Sequence, residues 1–309
     1  MDNNTMLKKV LVFGSNGQLG TAMKDMEVLG KMPYGRDVQY IFFDRYDCDI
    51  TKKGDIISVI AANKADVVLN LAAYTDVDNA DSDAMNAHAI NTLGPMYLAE
   101  VSKTFGMRMV HISSDYVFSG DKGTPYSTTE ERYPINTYGL TKYAGEVLVE
   151  AANSRHSIIR TSWLYSQNGH NFVSTMLNLS KIHDSLTVVN DQYGNPTSCD
   201  TLINFIDSVI DEDRTGIMHC TDQGTTTWCD FAKEIFQYSK AIGLIDKEIS
   251  VLGVSTDEYI SKRNVVIAKR PMYSVLTPLE CDIQKLPNWK TSLHKVLDRT
   301  LERKVIPHG

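Results

Sequence analysis

The sequence has few cysteines, and none of them are paired at the close C-x-x-C spacing used by many metal and redox sites. Its five cysteines, an odd number, are scattered between Cys48 and Cys281. This distribution predicts neither a disulfide framework nor a zinc centre, and we predict no metal. Reduced, buried thiols of this kind are typical of cytoplasmic proteins.

Long apolar runs and basic runs are missing as well. No stretch approaches the roughly 18 apolar residues that cross a membrane, and the first residues, Met1 to Thr5, are polar and contain no signal core. The formal net charge is −7. We therefore expect a cytoplasmic protein that binds neither membrane nor nucleic acid.

Repeats and low-complexity linkers are also absent. The 309 residues instead alternate short apolar runs with amphipathic stretches, which predicts an α/β fold with a Rossmann-type, doubly wound parallel sheet. We expect residues 1–165 to form a dinucleotide-binding domain, with return segments within about 186–225. Residues 166–309 would form mainly a smaller α/β lobe that binds substrate. Between 247 and 274 the alternation weakens, and we expect irregular structure there.

A glycine-rich turn follows the first predicted strand. It has the form G-x-x-G-x-x-G, with Gly14, Gly17 and Gly20 around Gln18 and Leu19. A strand, a glycine turn and a helix in this order are the context of a dinucleotide site. The missing side chains let a pyrophosphate approach the backbone, and the helix N-terminus offers it N–H groups.

The second predicted strand ends in Asp44-Arg45. A carboxylate at this point can bind the adenosine ribose of NAD, whereas an arginine can bind the extra phosphate of NADP. Both residues are present, so the choice between NADH and NADPH stays open. Asp49, a few residues on, is either near the adenine or a turn residue. The small residues around Ala73 leave room for a cofactor or simply allow close packing.

Tyr138 and Lys142 form a Y-x-x-x-K pattern at the start of a predicted helix. Their spacing places both side chains on one helix face. We expect the ammonium to favour the phenolate and to lower the pKa of Tyr138 from about 10. Such a group suits the interconversion of an alcohol and a ketone. Ser114 ends the fourth predicted strand and can converge on the same crevice.

Together, these motifs resemble those of the extended short-chain dehydrogenase/reductases, and within them the group of dTDP-4-dehydrorhamnose reductases. The resemblance runs from Lys9 to about Trp289. It implies reduction of a dTDP-linked 4-keto-6-deoxy sugar by NADPH or NADH. It also implies a catalytic group and a cofactor site with these members: Ser114, Tyr138 and Lys142 for catalysis; Gly14, Gly17, Gln18, Leu19, Gly20, Asp44, Asp49, Ile50, Ala73, Tyr74, Thr75, Tyr138 and Lys142 for the cofactor.

The resemblance further implies that Ser114, Asp115, Trp163 and Arg270 contact the sugar nucleotide. From the residues alone, Trp163 either stacks on a ligand or belongs to the core. Lys269-Arg270-Pro271 keeps the arginine of a motif that reads S-R-P in the relatives. Some relatives dimerise through magnesium held by glutamates. Those glutamates have no match here, so we do not predict the magnesium. A homodimer stays open.

Two other functions stay open at this point. Another nucleotide-sugar reductase, epimerase or dehydratase would share the fold, but dehydratases carry Asp-Glu where this chain has Asp115-Tyr116. A non-catalytic NADP-binding subunit, similar to the regulatory subunit of methionine adenosyltransferase, keeps the Tyr/Lys pair. The chain follows the reductases instead at Thr161-Ser162-Trp163 and at Tyr193-Gly194.

Overall fold

The computed structural model describes residues 7–32, 38–263 and 267–305. The elements in these ranges are β1 (Lys8–Phe13), α1 (Gln18–Val28), β2 (Val38–Phe43), α2 (Lys53–Asn63), β3 (Val67–Asn70), α3 (Ala84–His88), α4 (Gly94–Thr104), β4 (Arg108–Ser114), α5 (Thr137–Ala152), β5 (His156–Thr161), β6 (Leu164–Tyr165), α6 (Phe172–Leu179), β7 (Ser185–Val189), β8 (Tyr193–Gly194), β9 (Thr197–Ser198), α7 (Cys199–Asp211), β10 (Gly216–His219), β11 (Thr226–Thr227), α8 (Trp228–Ala241), β12 (Ser250–Val254), α9 (Thr256–Arg263), α10 (Glu280–Ile283) and α11 (Trp289–Val305).

Six strands form one parallel sheet in the order β10-β5-β4-β3-β1-β2. The strand order reverses between β1 and β3, because the chain runs from β1 to β2 on one side and then returns to the other. In open α/β sheets, ligands bind outside the carboxyl ends of the strands at such a reversal. The predicted Rossmann-type fold is therefore confirmed, and the topology points to one end of the sheet.

Both faces of the sheet are buried. On β1, Val10 and Val12 belong to one apolar cluster with α1 and α7, while Leu11 and Phe13 belong to another with α2 and α4. Alternate strand residues point to opposite faces, so an unbroken apolar run supplies two cores at once. This is why the strands read as short continuous hydrophobic segments.

A third apolar cluster lies in the later part of the chain. It is built mainly from α6, α8 and α11 and includes Tyr165, Phe231 and Trp289. The prediction of irregular structure over residues 247–274 is wrong for 250–263, where β12 pairs in parallel with β7 and α9 follows. It holds for 267–274, which contain no helix or strand, and residues 264–266 lie outside the described residues. The hydrophobic pattern of β12 is weak because Gly253 lies in it and Leu252 is exposed.

The helical region before β4 is interrupted. A π-helical segment, Ala89–Leu93, separates α3 from α4, and Pro95 lies in the first turn of α4. Asn91 in that segment is fully buried and has the partners that burial requires. Its side chain accepts from the N–H of Tyr74 and donates to the Tyr74 carbonyl and to Thr141 Oγ1.

Among the described helices, none combines the length and the apolar character needed to cross a membrane.

Candidate active site

The glycine turn is a backbone cradle at the end of β1. Gly14 has φ of +89°, and a Cβ placed on it would lie 2.5 Å from the Ala72 nitrogen. Helix α1 begins at Gln18 with no side chain capping it and with no acidic residue in its first turn. Free N–H groups and the positive end of the helix dipole therefore face outward from the turn, as an anion requires.

A cavity of about 950 Å³ opens at this cradle. It runs along the carboxyl ends of β1 to β5, where the strand order predicts a ligand. The sequence-predicted residues in its wall are Gly14, Gly17, Gln18, Leu19, Asp44, Asp49, Ile50, Ala73, Thr75, Ser114, Asp115, Tyr138, Lys142, Trp163 and Arg270. Residues that are far apart in the sequence thus meet in one site.

Two predicted cofactor residues lie outside the wall of the cavity. A Cβ on Gly20 would be 2.6 Å from the Ser15 Cα, so this glycine lets α1 fit tightly against the turn. Tyr74 packs beside Tyr138 in a small apolar cluster, and its main chain is held by Asn91. Both residues shape the site from behind the surface that a ligand would touch.

The end of β2 carries the two predicted acidic residues. The Asp44 carboxylate accepts hydrogen bonds from the N–H groups of Asp47 and Tyr46 and from Asn16 Nδ2, and these bonds lower its pKa. Asp49 accepts from the N–H and the hydroxyl of Thr51. The lowered pKa keeps the Asp44 carboxylate ionised, and the same hydrogen bonds hold it in place.

Ser114, Tyr138 and Lys142 converge at the far end of the cavity. Ser114 ends β4, and its hydroxyl donates to Asp115 Oδ1 at 2.8 Å. Tyr138 and Lys142 lie on the buried face of α5, whose first turn is capped by the Asn136 side chain. Lys142 Nζ donates to the Ile112 carbonyl at 2.7 Å. The predicted convergence of the three residues on one crevice is thus seen in the fold.

The predicted effect of Lys142 on Tyr138 is wrong in this structure. Burial raises the pKa of Tyr138 to about 12; a hydrogen bond with Ser114 lowers it, and the nearby Asp115 raises it. The lysine ammonium is turned to a strand carbonyl, and burial lowers its own pKa to about 8 against the opposing charge of Glu146. Desolvation, which the sequence pattern does not encode, exceeds the pairwise charge effect. At neutral pH Tyr138 is therefore a protonated phenol.

Asp115 is a buried carboxyl group beside this cluster. Burial raises its pKa to about 6, although hydrogen bonds with neighbours that include Ser114 oppose the shift. The side chain is almost entirely removed from solvent. A carboxyl group in such a place is polar, oriented and costly to keep charged, which is typical of functional sites.

Trp163 and Arg270 lie in the wall of the cavity, and each has a partner that sequence reasoning missed. The Trp163 indole stacks on Trp228 with ring centroids 3.5 Å apart and planes 8° apart. Arg270 Nη2 donates to Asp78 Oδ2 at 2.9 Å, and Asp78 also accepts from the Ala268 N–H. No local sequence pattern links Trp163 to Trp228 or Arg270 to Asp78, because each pair is far apart in the chain.

The part of the chain that the structure describes contains no cluster of metal-ligating side chains. Across residues 7–32, 38–263 and 267–305, no group of three or more His, Cys, Asp or Glu side chains is placed to hold an ion.

Comparison with known proteins decides the family. Residues 8–302 match the family described as RmlD substrate binding domain. The chain belongs to this family. A member from Sinorhizobium fredii, named dTDP-4-dehydrorhamnose reductase, is 36% identical over 94% of this chain and 96% of its own length.

Solved structures of this family have the same fold. A dTDP-4-dehydrorhamnose reductase from Clostridium acetobutylicum is 38% identical, with a TM-score of 0.86 over 95% of this chain and 99% of its own. One from Bacillus anthracis, solved in complex with NADP, is 33% identical, with a TM-score of 0.86 over 96% of this chain and all of its own. The predicted resemblance is therefore confirmed over nearly the whole chain.

Proposed function

We propose that this protein reduces the C4 keto group of dTDP-4-dehydro-L-rhamnose (dTDP-6-deoxy-L-lyxo-4-hexulose) to dTDP-L-rhamnose, with NADPH or NADH as the reductant. The observation that carries the proposal is the single cavity that joins a glycine cradle to Ser114, Tyr138 and Lys142. The names of family members at more than 30% identity specify the reaction and substrate.

A nicotinamide dinucleotide fits the residues at the cradle end. When bound, it supplies the hydride. Gly14, Gly17, Gln18 and Leu19 would hold its pyrophosphate, because the glycines leave the backbone open and α1 begins with uncapped N–H groups. Gly20 would act from behind, by letting α1 fit tightly against the turn. Asp44, Asp49 and Ile50 would hold the adenosine. Ala73 and Thr75 would line the cleft, with Tyr74 behind them.

Tyr138 would be the proton donor. Its pKa of about 12 keeps the phenol protonated, as the reduction of a ketone requires. As charge develops on the C4 oxygen, the Tyr138 hydroxyl would give it the proton and Ser114 would donate a second hydrogen bond. Because Ser114 already donates to Asp115, its hydroxyl hydrogen would turn from that carboxylate to the substrate oxygen.

Lys142 would bind the nicotinamide ribose and stabilise the phenolate that remains after proton transfer. Its pKa of about 8 leaves the ammonium mostly charged at neutral pH. The amine is buried and one helical turn from Tyr138, so its charge is little screened by water. Stabilising the phenolate would lower the pKa of Tyr138, and so would offset part of the rise that burial causes.

The sugar nucleotide would lie between Asp115, Trp163 and Arg270. A guanidinium suits the diphosphate and an indole suits the flat face of a base or sugar. We place the cofactor site in residues 1–165, with return segments within about 186–225. Residues 166–309 would form mainly the substrate-binding lobe, and Asp115 and Trp163 of the first range would complete the substrate site. Strand β10 pairs with β5 in the main sheet, which supports the proposal that the chain returns to the first domain. A cytoplasmic location and a homodimer belong to the same proposal.

The first experiment follows the absorbance of reduced nicotinamide with the keto sugar made in place by the preceding enzymes. NADH and NADPH are compared directly, because Asp44 and Arg45 favour different cofactors. Formation of dTDP-L-rhamnose, absent in Tyr138→Phe, is the expected result. Cofactor binding without oxidation would refute the reaction, and turnover of another 4-keto sugar alone would assign a different substrate.

A further inference from the structure

The backbone at Trp163 has an unusual conformation. Trp163 has φ of +46°, in the left-handed region that bulky residues rarely occupy. Conformations of this kind cost about 1–3 kcal/mol and persist only where surrounding contacts enforce them. Two neighbours of Trp163 make such contacts with its indole.

The first neighbour is Trp228, at the start of α8. Its ring lies parallel to Trp163, and Phe172 stands against it at a centroid distance of 4.6 Å. Trp228 also lines the cavity itself. Both indoles pack against the third apolar cluster, so the stack connects the cavity wall to that cluster.

The second neighbour is Gly194, in the short strand β8. A Cβ on this glycine would lie 2.4 Å from Trp163 Cε2 and 2.7 Å from Nε1. The backbone of Gly194 is not in the left-handed region, so alanine is allowed there by its dihedral angles. The role of this glycine is to leave room for the indole, and Gly194 does not line the cavity.

We propose that Trp228 and Gly194 are positioning residues that fix the Trp163 indole in the cavity wall and thereby set the affinity for the nucleoside-diphosphate sugar. The inference rests on the proposed function for the contact between Trp163 and the sugar nucleotide. It adds two residues that act through Trp163. Their loss should weaken sugar-nucleotide binding and leave cofactor binding intact.

The test uses Gly194→Ala, Trp228→Leu and Trp228→Phe in the full chain. Gly54→Ala is the matched control, because a Cβ on Gly54 meets nothing within 4 Å. Dissociation constants for dTDP-L-rhamnose and for NADPH are measured by calorimetry, so the readout does not depend on turnover. Circular dichroism monitors the coupled signal of the two stacked indoles in each variant.

Gly194→Ala and Trp228→Leu are expected to lose the coupled indole signal and to bind dTDP-L-rhamnose about tenfold more weakly, as the loss of one aromatic contact implies. NADPH affinity should stay unchanged, and Trp228→Phe should recover part of the sugar-nucleotide affinity. Unchanged affinity for dTDP-L-rhamnose in variants without the indole signal would overturn the inference, as would equal losses for both ligands.

The same experiment separates this inference from the reaction. Wild-type protein that binds dTDP-L-rhamnose but fails to oxidise NADPH with the keto sugar contradicts the proposed reaction, while the variants still test the two positioning residues by binding. Wild-type protein that does not bind dTDP-L-rhamnose at all overturns the inference directly.

Discussion

The two ends of the cavity are built from different parts of the polypeptide. At the cradle end, the surface is mostly backbone, with glycines, an uncapped helix start and a carboxylate held by its own loop. At the catalytic end, the wall consists of the side chains of Tyr138, Lys142 and Asp115. Burial shifts the pKa of each of these groups. One end binds through shape, and the other acts through tuned chemical groups.

This difference predicts which substitutions change which property. A change at the catalytic end should alter turnover or the pH dependence of stability while cofactor affinity survives. A change in the cradle should weaken the cofactor and leave the catalytic groups as they are. Variants that change both properties together would contradict this division between the two ends of the cavity.

The largest effect is expected for Tyr138→Phe. Loss of the proton donor should lower kcat by about 10²- to 10⁴-fold, the usual contribution of a general acid. NADPH affinity should not change, because the phenyl ring keeps its contacts with Tyr116. Single-turnover rates and cofactor titration measure the two quantities. Tyr143→Phe on the same helix is the control, and a Tyr138→Phe rate near wild type would remove this residue from the mechanism.

Glu146→Gln tests how much the buried ion pair next to Lys142 contributes to the stability of the fold. Glu146 is fully buried one turn beyond Lys142, and both its oxygens accept hydrogen bonds from Arg160, at 2.9 and 2.8 Å. Removing one partner of a buried ion pair typically costs about 3–5 kcal/mol, because the other charge stays behind. Urea denaturation should show this loss in the free energy of unfolding.

Glu150→Gln is the matched control for that substitution. Glu150 lies on the same helix and pairs with Arg132, which also pairs with Glu146, but the Glu150 side chain is 32% exposed. Exposed pairs contribute about 0–1 kcal/mol. Equal losses in the two variants would show that burial does not distinguish the two pairs.

Asp115→Asn should make the protein more stable near neutral pH. Burial raises the pKa of Asp115 from 3.8 to about 6. The folded state therefore binds the proton more tightly than the unfolded state. The resulting stabilisation is present below pH 3.8 and is lost as the pH rises through about 6. At pH 7 the charged, buried carboxylate costs up to about 3 kcal/mol, which asparagine would remove.

Free energies of unfolding between pH 4 and pH 8 check this expectation. The gain of Asp115→Asn over wild type should grow from pH 4 to pH 7, and sugar-nucleotide affinity should fall, as expected where stability is exchanged for function. Asp81→Asn, at an exposed position, should change neither property. A constant difference at all pH values would mean that Asp115 does not titrate as the structure indicates.

The sequence was most informative where a site depends on neighbouring residues. The glycine turn, the end of β2 and the Tyr138/Lys142 spacing are local patterns, and the structure places them in one cavity. Contacts across the chain carried no such signal. Asp78 and Arg270 are 192 residues apart in the sequence. Trp163, just before β6, stacks on Trp228 at the start of α8 only in the folded protein. The pKa of Tyr138 was predicted in the wrong direction because the depth of burial is a tertiary property.

Gly14→Ala should give a smaller effect, located at the cradle end. A φ of +89° costs a residue with a side chain about 1–3 kcal/mol, and its Cβ would lie 2.5 Å from the backbone of Ala72. The turn must therefore move, which weakens NADPH binding, while the single-turnover rate at saturating NADPH stays near wild type. Gly54→Ala in α2 is the control, since helix propensity alone should stabilise it slightly. If Gly14→Ala slowed the chemical step at saturating cofactor, the cradle and the catalytic groups would be coupled, and the division between binding by shape and catalysis by tuned side chains would not hold.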